Sequence, residues 1–256
     1  MIRNILGSVS LLAGFTRMGT VKSLRRKGIL KSRGLEDVIV ISYPKSGRTW
    51  LRVMLDYLDI NLRYDHVIPD SKDRNLLNRD EYKKSYRRFS GKRVIFLKRD
   101  PRDIVVSNYF QTVKREGAYK GDLSSFIRDE VFGIKAVKDF LYFWPSVKDE
   151  FSEYIEVSYE DMLRDTVHSI RDIISFLRLR MVAPSILRRT VELFSFGNMQ
   201  FFEKKGLFGL RYGNLLRPLG SGDGDSLKVR KGKAGGYLQY MTSDDIRYCE
   251  SVLNAD

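Results

Sequence analysis

The sequence predicts one α/β domain, a central parallel β-sheet flanked by helices and opened by a P-loop-like strand–loop–helix. Three observations carry this. From Asp37 onward, short β-branched runs alternate with longer stretches of helical periodicity; strands joined through helices form parallel sheets covered on both faces. The first strand and first helix are separated by SYPKSGRTW at 42–50, a loop of small and cationic residues. No internal repeat, polar linker or second hydrophobic block divides residues 37–256.

DVIVIS is the first strand, bounded by Pro44 and Gly47, and TWLRVMLDYL is a helix with Leu51, Met54, Leu55 and Leu58 on its apolar face. RVIFLKRD is a second strand, and DPRDIVVSNYFQ begins a helix with Asp100 as cap and Pro101 at its first position. SSFIRDEVFG and GIKAVKDFLYFWPSVKDEF read as helices, the latter broken or kinked at Pro145. EYIEVSYED is a third strand, followed by helical stretches in RDTVHSIRDIISFL and APSILRRTVELFSF. Residues 203–229, with six glycines, read either as a surface loop or as a lid over a site.

With 43% hydrophobic and 30% charged residues, the 256-residue chain can bury a sizeable core and is not disordered, fibrous or coiled-coil. A single cysteine, Cys249, excludes an intramolecular disulfide and points to a reducing, cytoplasmic compartment. His66, His168 and Cys249 are too few soft ligands for structural zinc. The net charge of +14 suggests nucleic acid at first sight, yet eight Lys/Arg and no acid fall within residues 1–35. The remaining +6 suits small anions as well as a polymer. The basic tail, residues 1–36, has three readings: a surface helix or frayed end, an amphipathic segment in peripheral contact with an anionic membrane, or a signal or transit peptide. Its longest uncharged stretch, Asn4–Thr16, spans 13 residues, short of the roughly 20 that cross a bilayer.

Three segments carry chemistry. In SYPKSGRTW, unpaired N–H groups at the start of a helix attract phosphate, Gly47 allows close approach, Lys45 adds a charge, and Ser46 and Thr49 add hydroxyls. Lys45 precedes the glycine, so this is not a Walker A box. In LKRDPRDIVVSNYF, Arg99 ends a strand and Ser107 lies eight residues on, placing a forked cation and a donor beside a crevice. Asp100, Arg102 and Asp103 read as a cap and exposed salt-bridge partners. In VRKGKAGGYLQYMT, two cations and three glycines resemble a backbone nest for a second phosphate.

Together the segments resemble the sulfotransferases that use 3′-phosphoadenosine 5′-phosphosulfate (PAPS) and release 3′-phosphoadenosine 5′-phosphate (PAP). SYPKSGRTW is similar to their YPKSGTTW loop, RDPRDIVVS to their 3′-phosphate segment, and RKGKAGGY to RKGxxGDW. The resemblance covers about residues 37–245. It implies that Lys45 and the backbone of Ser46, Gly47, Arg48 and Thr49 hold the 5′-phosphosulfate, with Lys45 at the bridging oxygen. It implies that Arg99, Ser107, Arg230, Lys231 and Gly232 hold the 3′-phosphate, and that Trp50, Tyr159, Phe196 and Met199 line the adenine. No divalent metal is required, because a sulfuryl group carries less charge than a phosphoryl group.

The acceptor's hydroxyl proton needs a base. The family's KTHLP is absent; His66 in NLRYDHVIPD looks similar to a shorter bacterial segment, with Asp65 and Asp70 as alternates. His168 reads as a surface residue. Arg48 replaces a threonine of the family loop, Gly236-Tyr237 replaces Asp-Trp, and residues 238–247 depart from the family's dimer pattern KxxxTVxxxE at Leu238, Ser243 and Arg247. No dimer is expected there. The acceptor, an alcohol, phenol or saccharide hydroxyl, would meet residues 60–90, 110–135 and 203–229, including Tyr86, Phe89, Phe110, Tyr119 and Phe208. The competing functions are a P-loop phosphotransferase and a basic module binding nucleic acid or a membrane surface; the motif set favours the enzyme, with no nucleic-acid partner.

Overall fold

The computed structural model describes residues 35–66, 86–207, 227 and 229–255. The tail up to residue 34, Asp70, and residues 208–226 of the glycine-rich segment, with Phe208, lie outside the described residues.

Four parallel strands form one sheet: β1 (Val38–Ser42), β2 (Arg63–Asp65), β3 (Arg93–Lys98) and β4 (Glu153–Ser158), in the order β2-β1-β3-β4. Val40 lies opposite Tyr64 on one side and Ile95 on the other, and Ile95 lies opposite Ile155. The three strands expected from sequence are present. β2 was not anticipated, because RYD has no apolar β-branched residue and is held at the edge by pairing with β1.

The described residues hold nine α-helices, in chain order α1 (Arg48–Tyr57), α2 (Pro101–Phe110), α3 (Leu123–Arg128), α4 (Ile134–Ser146), α5 (Tyr159–Arg164), α6 (Thr166–Phe176), α7 (Pro184–Leu193), α8 (Phe196–Lys204) and α9 (Ser243–Asn254). Asp100 caps α2 as expected, accepting the Arg102 N–H at 2.8 Å, with Pro101 at its start. Pro145 falls in the last turn of α4, which stops one residue later. The helix expected over SSFIRDEVFG ends early, at Arg128. The Asp129 carboxylate takes the N–H groups of Val131 and Phe132 at 2.8 and 3.0 Å, satisfying the backbone outside a helix. The segment expected to be loop from residue 203 begins as the end of α8.

Alternation along β1 and β3 splits the core in two. Val38, Val40, Ile95 and Leu97 pack with α1 and α6, whereas Ile39, Ile41, Val94 and Phe96 pack with α2 and α4 around Trp144. All of these strand residues are at most 1% exposed. The sheet is thereby locked on both faces, and its carboxyl edge is a rigid platform for the loops that follow each strand.

Candidate active site

Each strand ends at the same edge and feeds one cleft of about 750 Å3. Lys45 follows β1, His66 follows β2, Arg99 follows β3 and Tyr159 follows β4, and all four line it. β1 connects onward to β2 on one side while β3 lies on its other side, so the crevice opens where the strand order reverses. Ligands of open α/β sheets bind at this switch point. The distant segment Val229–Lys233 closes the cleft from above α8 and α2.

Every residue singled out from sequence for the nucleotide, and His66, lines this cleft except Ser46, which is fully buried; Asp65, the alternate base, is not in the lining and pairs with Arg88 at 3.0 Å. The loop after β1 is tightly wound, with left-handed backbone at Lys45 (φ 75°) and Gly47 (φ 91°). Left-handed geometry is uncommon for a lysine and is kept only where the surroundings enforce it. No side chain caps α1, so its first N–H groups face the loop's concavity, as an anion site requires. A Cβ at Gly47 would sit 2.5 Å from the Tyr159 ring. Trp50 meets that ring edge-on at 6.0 Å and fixes its indole by donating to the Phe194 carbonyl at 2.8 Å. Burial pushes the Tyr159 phenol upward, so it stays neutral.

Arg99 joins the first and third segments. Its guanidinium donates to the Lys45 carbonyl at 3.1 Å and to the Lys233 carbonyl at 3.0 Å, and it stacks 4.2 Å from the Tyr159 ring centre. Asp103 lies 3.6 Å from it. Contrary to the exposed salt-bridge role expected from sequence, Asp103 is 3% exposed and accepts the N–H groups of Gly235 and Tyr237, each at 2.9 Å. A buried carboxylate with these partners shapes the glycine turn. Asp100 and Arg102 do pair with each other at 2.7 Å.

Arg230 lies 4.0 Å from the Phe110 ring centre and donates to the Tyr240 hydroxyl at 2.5 Å. Its backbone is braced: Gln200 donates to the Val229 and Arg230 carbonyls at 3.0 Å each, and buried Glu203 accepts the Val229 N–H at 2.9 Å. Gly232 (φ 57°) lies against Phe196, where a Cβ would come within 2.2 Å of the ring. Gly47 and Gly232 thus sit where no larger residue fits.

His66 faces the Ser42 carbonyl through Nδ1 at 3.1 Å and receives the Arg48 guanidinium at Nε2. Burial, then the neighbouring Arg52, lowers the Arg48 pKa to about 10, leaving it cationic at neutral pH. Lys45 donates to the Gln111 side-chain oxygen at 3.2 Å, and Gln111 donates to Glu116 at 2.9 Å. His168 is exposed on α6 beside Asp172, as expected.

The aromatic residues expected at the acceptor end do other work. Phe89 is 2% exposed and packs on Trp144; Phe110 supports Arg230; Tyr86 and Tyr119 pack on Phe143 and Phe126. Their apolar character was legible, but their spacing also suited core positions. The apolar lining described here comes instead from Tyr43, Val106, Val131 and Phe132. Gln111, Glu116, Lys233 and Tyr240 also line the cleft and were missed; only Lys233, inside the glycine run, carried a sequence signal.

A family model described as sulfotransferase domain matches residues 86–255. The chain belongs to the PAPS-dependent sulfotransferase family. This sulfotransferase is 26% identical to mouse sulfotransferase 2A2 over 211 residues, covering 70% of this chain and 71% of the relative. Rabbit amine sulfotransferase is 24% identical, over 86% of this chain and 80% of the relative. Mouse sulfotransferase SULT7A1, solved in complex with PAP, has the same fold with a TM-score of 0.63 at 19% identity, covering 87% of this chain and 84% of that one. Retinol dehydratase, solved with androsterone and PAP, gives 0.58 at 18% identity, covering 84% of this chain and 79% of that one. Among the described residues, no helix is long and apolar enough to cross a membrane.

Proposed function

We propose that the cleft binds PAPS across its whole length and that this sulfotransferase transfers the sulfuryl group to the hydroxyl or amine of a small molecule. The observation that carries the reading is the convergence of Lys45, Arg99 and Arg230, from segments far apart in sequence, on one cleft. The chemistry of the lining fits the nucleotide. Lys45, Arg48, Arg99, Arg230, Lys231 and Lys233 oppose only Asp103 and Glu116 among the described lining residues, and both glycine turns leave room for a group that approaches backbone closely.

In this reading Lys45 and the N–H groups of Gly47, Arg48 and Thr49 hold the 5′-phosphosulfate. Arg230, Lys231 and Gly232, with Ser107, hold the 3′-phosphate, and Arg99 frames both ends. Trp50, Tyr159, Phe196 and Met199 flank the adenine. Ser46, expected to offer its backbone, instead shapes the loop: its side chain is buried and its N–H donates to the Tyr43 carbonyl at 3.3 Å. Lys45 opposes the charge that develops on the departing phosphate oxygen, and fixed donors supply it without reorganisation. His66, whose Nδ1 is anchored on the Ser42 carbonyl, takes the acceptor proton at Nε2 once Arg48 turns to the incoming sulfonate.

Dimerisation through 238–247 is not expected, because Leu238, Ser243 and Arg247 depart from the family's dimer pattern. Removing the basic tail should leave PAP binding intact.

The test is transfer of labelled sulfonate from PAPS to a panel of alcohols, phenols, saccharides and amines, beside calorimetry with PAP. Lys45→Ala should abolish transfer, whereas Arg230→Ala should chiefly weaken PAP binding. Magnesium-dependent ATP turnover with no response to PAPS would overturn the reading.

A further inference from the structure

Gln111 opens a π-helical turn, Gln111–Arg115, that continues α2 directly. Such turns shift the register of the side chains they carry and recur at functional sites. Here the shift accompanies a chain of two hydrogen bonds across the cleft: Lys45 Nζ to Gln111 Oε1 at 3.2 Å, and Gln111 Nε2 to Glu116 Oε1 at 2.9 Å. The amide orientation follows from both neighbours. A lysine ammonium can only donate and a carboxylate can only accept, so the oxygen faces Lys45 and the nitrogen faces Glu116. Lys45 is held at its other end too, through its carbonyl on Arg99.

We infer that Gln111 is a positioning residue for the sulfuryl-transfer step, setting the Lys45 ammonium while Glu116 fixes the Gln111 amide. The inference rests on the role proposed above for Lys45. A lysine stem has four rotatable carbons, and an ammonium stabilises developing charge most when its place is set before the reaction. An amide does this without cancelling the charge, whereas a carboxylate in direct contact would hold the ammonium back by pairing with it. Gln111 is the neutral link in the hydrogen-bond chain from Lys45 to Glu116.

Release of PAP from PAPS in single turnover, with water or the best acceptor of the panel, reads the step. Gln111→Leu should slow it about ten- to a hundredfold, the range for a hydrogen bond to a charged group, with the Kd for PAP changed by less than about twofold. Added to Lys45→Ala, it should cause no further loss, since both changes remove one function. Glu116→Ala should slow release as well, and Glu116→Gln, which keeps an acceptor oxygen, should restore most of it. Wild-type release in Gln111→Leu, or additive losses in the double variant, would overturn the inference. Should Gln111→Leu lose PAP binding, the Glu116 pair decides: equal rates in Glu116→Ala and wild type refute it. Undiminished release in Lys45→Ala alone would instead refute the role of Lys45.

Discussion

The Arg48 guanidinium donates to Nε2 of His66, the nitrogen that must be empty for His66 to act as a base. The opposite nitrogen, Nδ1, faces the Ser42 carbonyl, an acceptor, so both neighbours favour the same neutral tautomer. In the reading proposed above, the Arg48 cation covers the His66 lone pair, and arrival of the sulfonate draws that cation away and exposes the base.

The pH profile checks this coupling. A guanidinium beside Nε2 opposes protonation there, so Arg48→Thr should move the acid limb of kcat/KM to higher pH. His66→Ala should remove that limb and lower kcat by about 10²–10⁴. An acid limb unchanged by Arg48→Thr would show that His66 is not the titrating group.

Gly47 and Gly232 give a steric prediction. Gly47→Ala and Gly232→Ala each force a Cβ into an aromatic ring, Tyr159 at 2.5 Å or Phe196 at 2.2 Å, on left-handed backbone. Each should weaken PAP binding at least about tenfold by calorimetry. Gly206→Ala shares the left-handed backbone (φ 64°) but meets nothing within 4 Å. It should cost about 1 kcal/mol of stability and leave PAP affinity intact.

Asp103 should act on binding without touching the nucleotide. Asp103→Ala strands the buried N–H groups of Gly235 and Tyr237 and removes the acid beside Arg99. We expect about 2–4 kcal/mol of lost stability in urea unfolding and weaker PAP binding. Unchanged affinity would show that the glycine turn holds its shape without the carboxylate.

Asp245 predicts an acid limit on stability. Burial alone would raise its pKa, but hydrogen bonds from Arg128, Thr242 and Ser124 outweigh that and hold it at about 2. Its native value lies below the ordinary 3.8, so the stabilisation is present above about pH 4 and disappears as pH falls from 3.8 towards 2. Asp245→Asn should destabilise the protein by about 2 kcal/mol at pH 7 and flatten that part of the urea-midpoint profile.

The alternating strands and helices were legible because β1, β3 and β4 are apolar or β-branched and sit between clear helix caps. The phosphate-type loops were legible because local composition shapes them: Lys45, Gly47 and Gly232 belong to short contiguous motifs. β2 was not, since its pairing partner rather than its own residues makes it a strand, and the placement of His66 at the sheet edge depended on it. Asp103 was misread because a carboxylate at the end of the charged run Lys98–Asp103 looks solvated; its burial comes from the Gly235–Tyr237 turn, more than a hundred residues away. Gln111 gave no signal, since a π-helical turn depends on packing against its surroundings.

One arginine side chain, that of Arg99, fastens the Lys45 loop to the Lys233 loop, so the two halves of the cradle are tied to each other through a single guanidinium. A fault at Arg99 would therefore register at both ends of the ligand simultaneously.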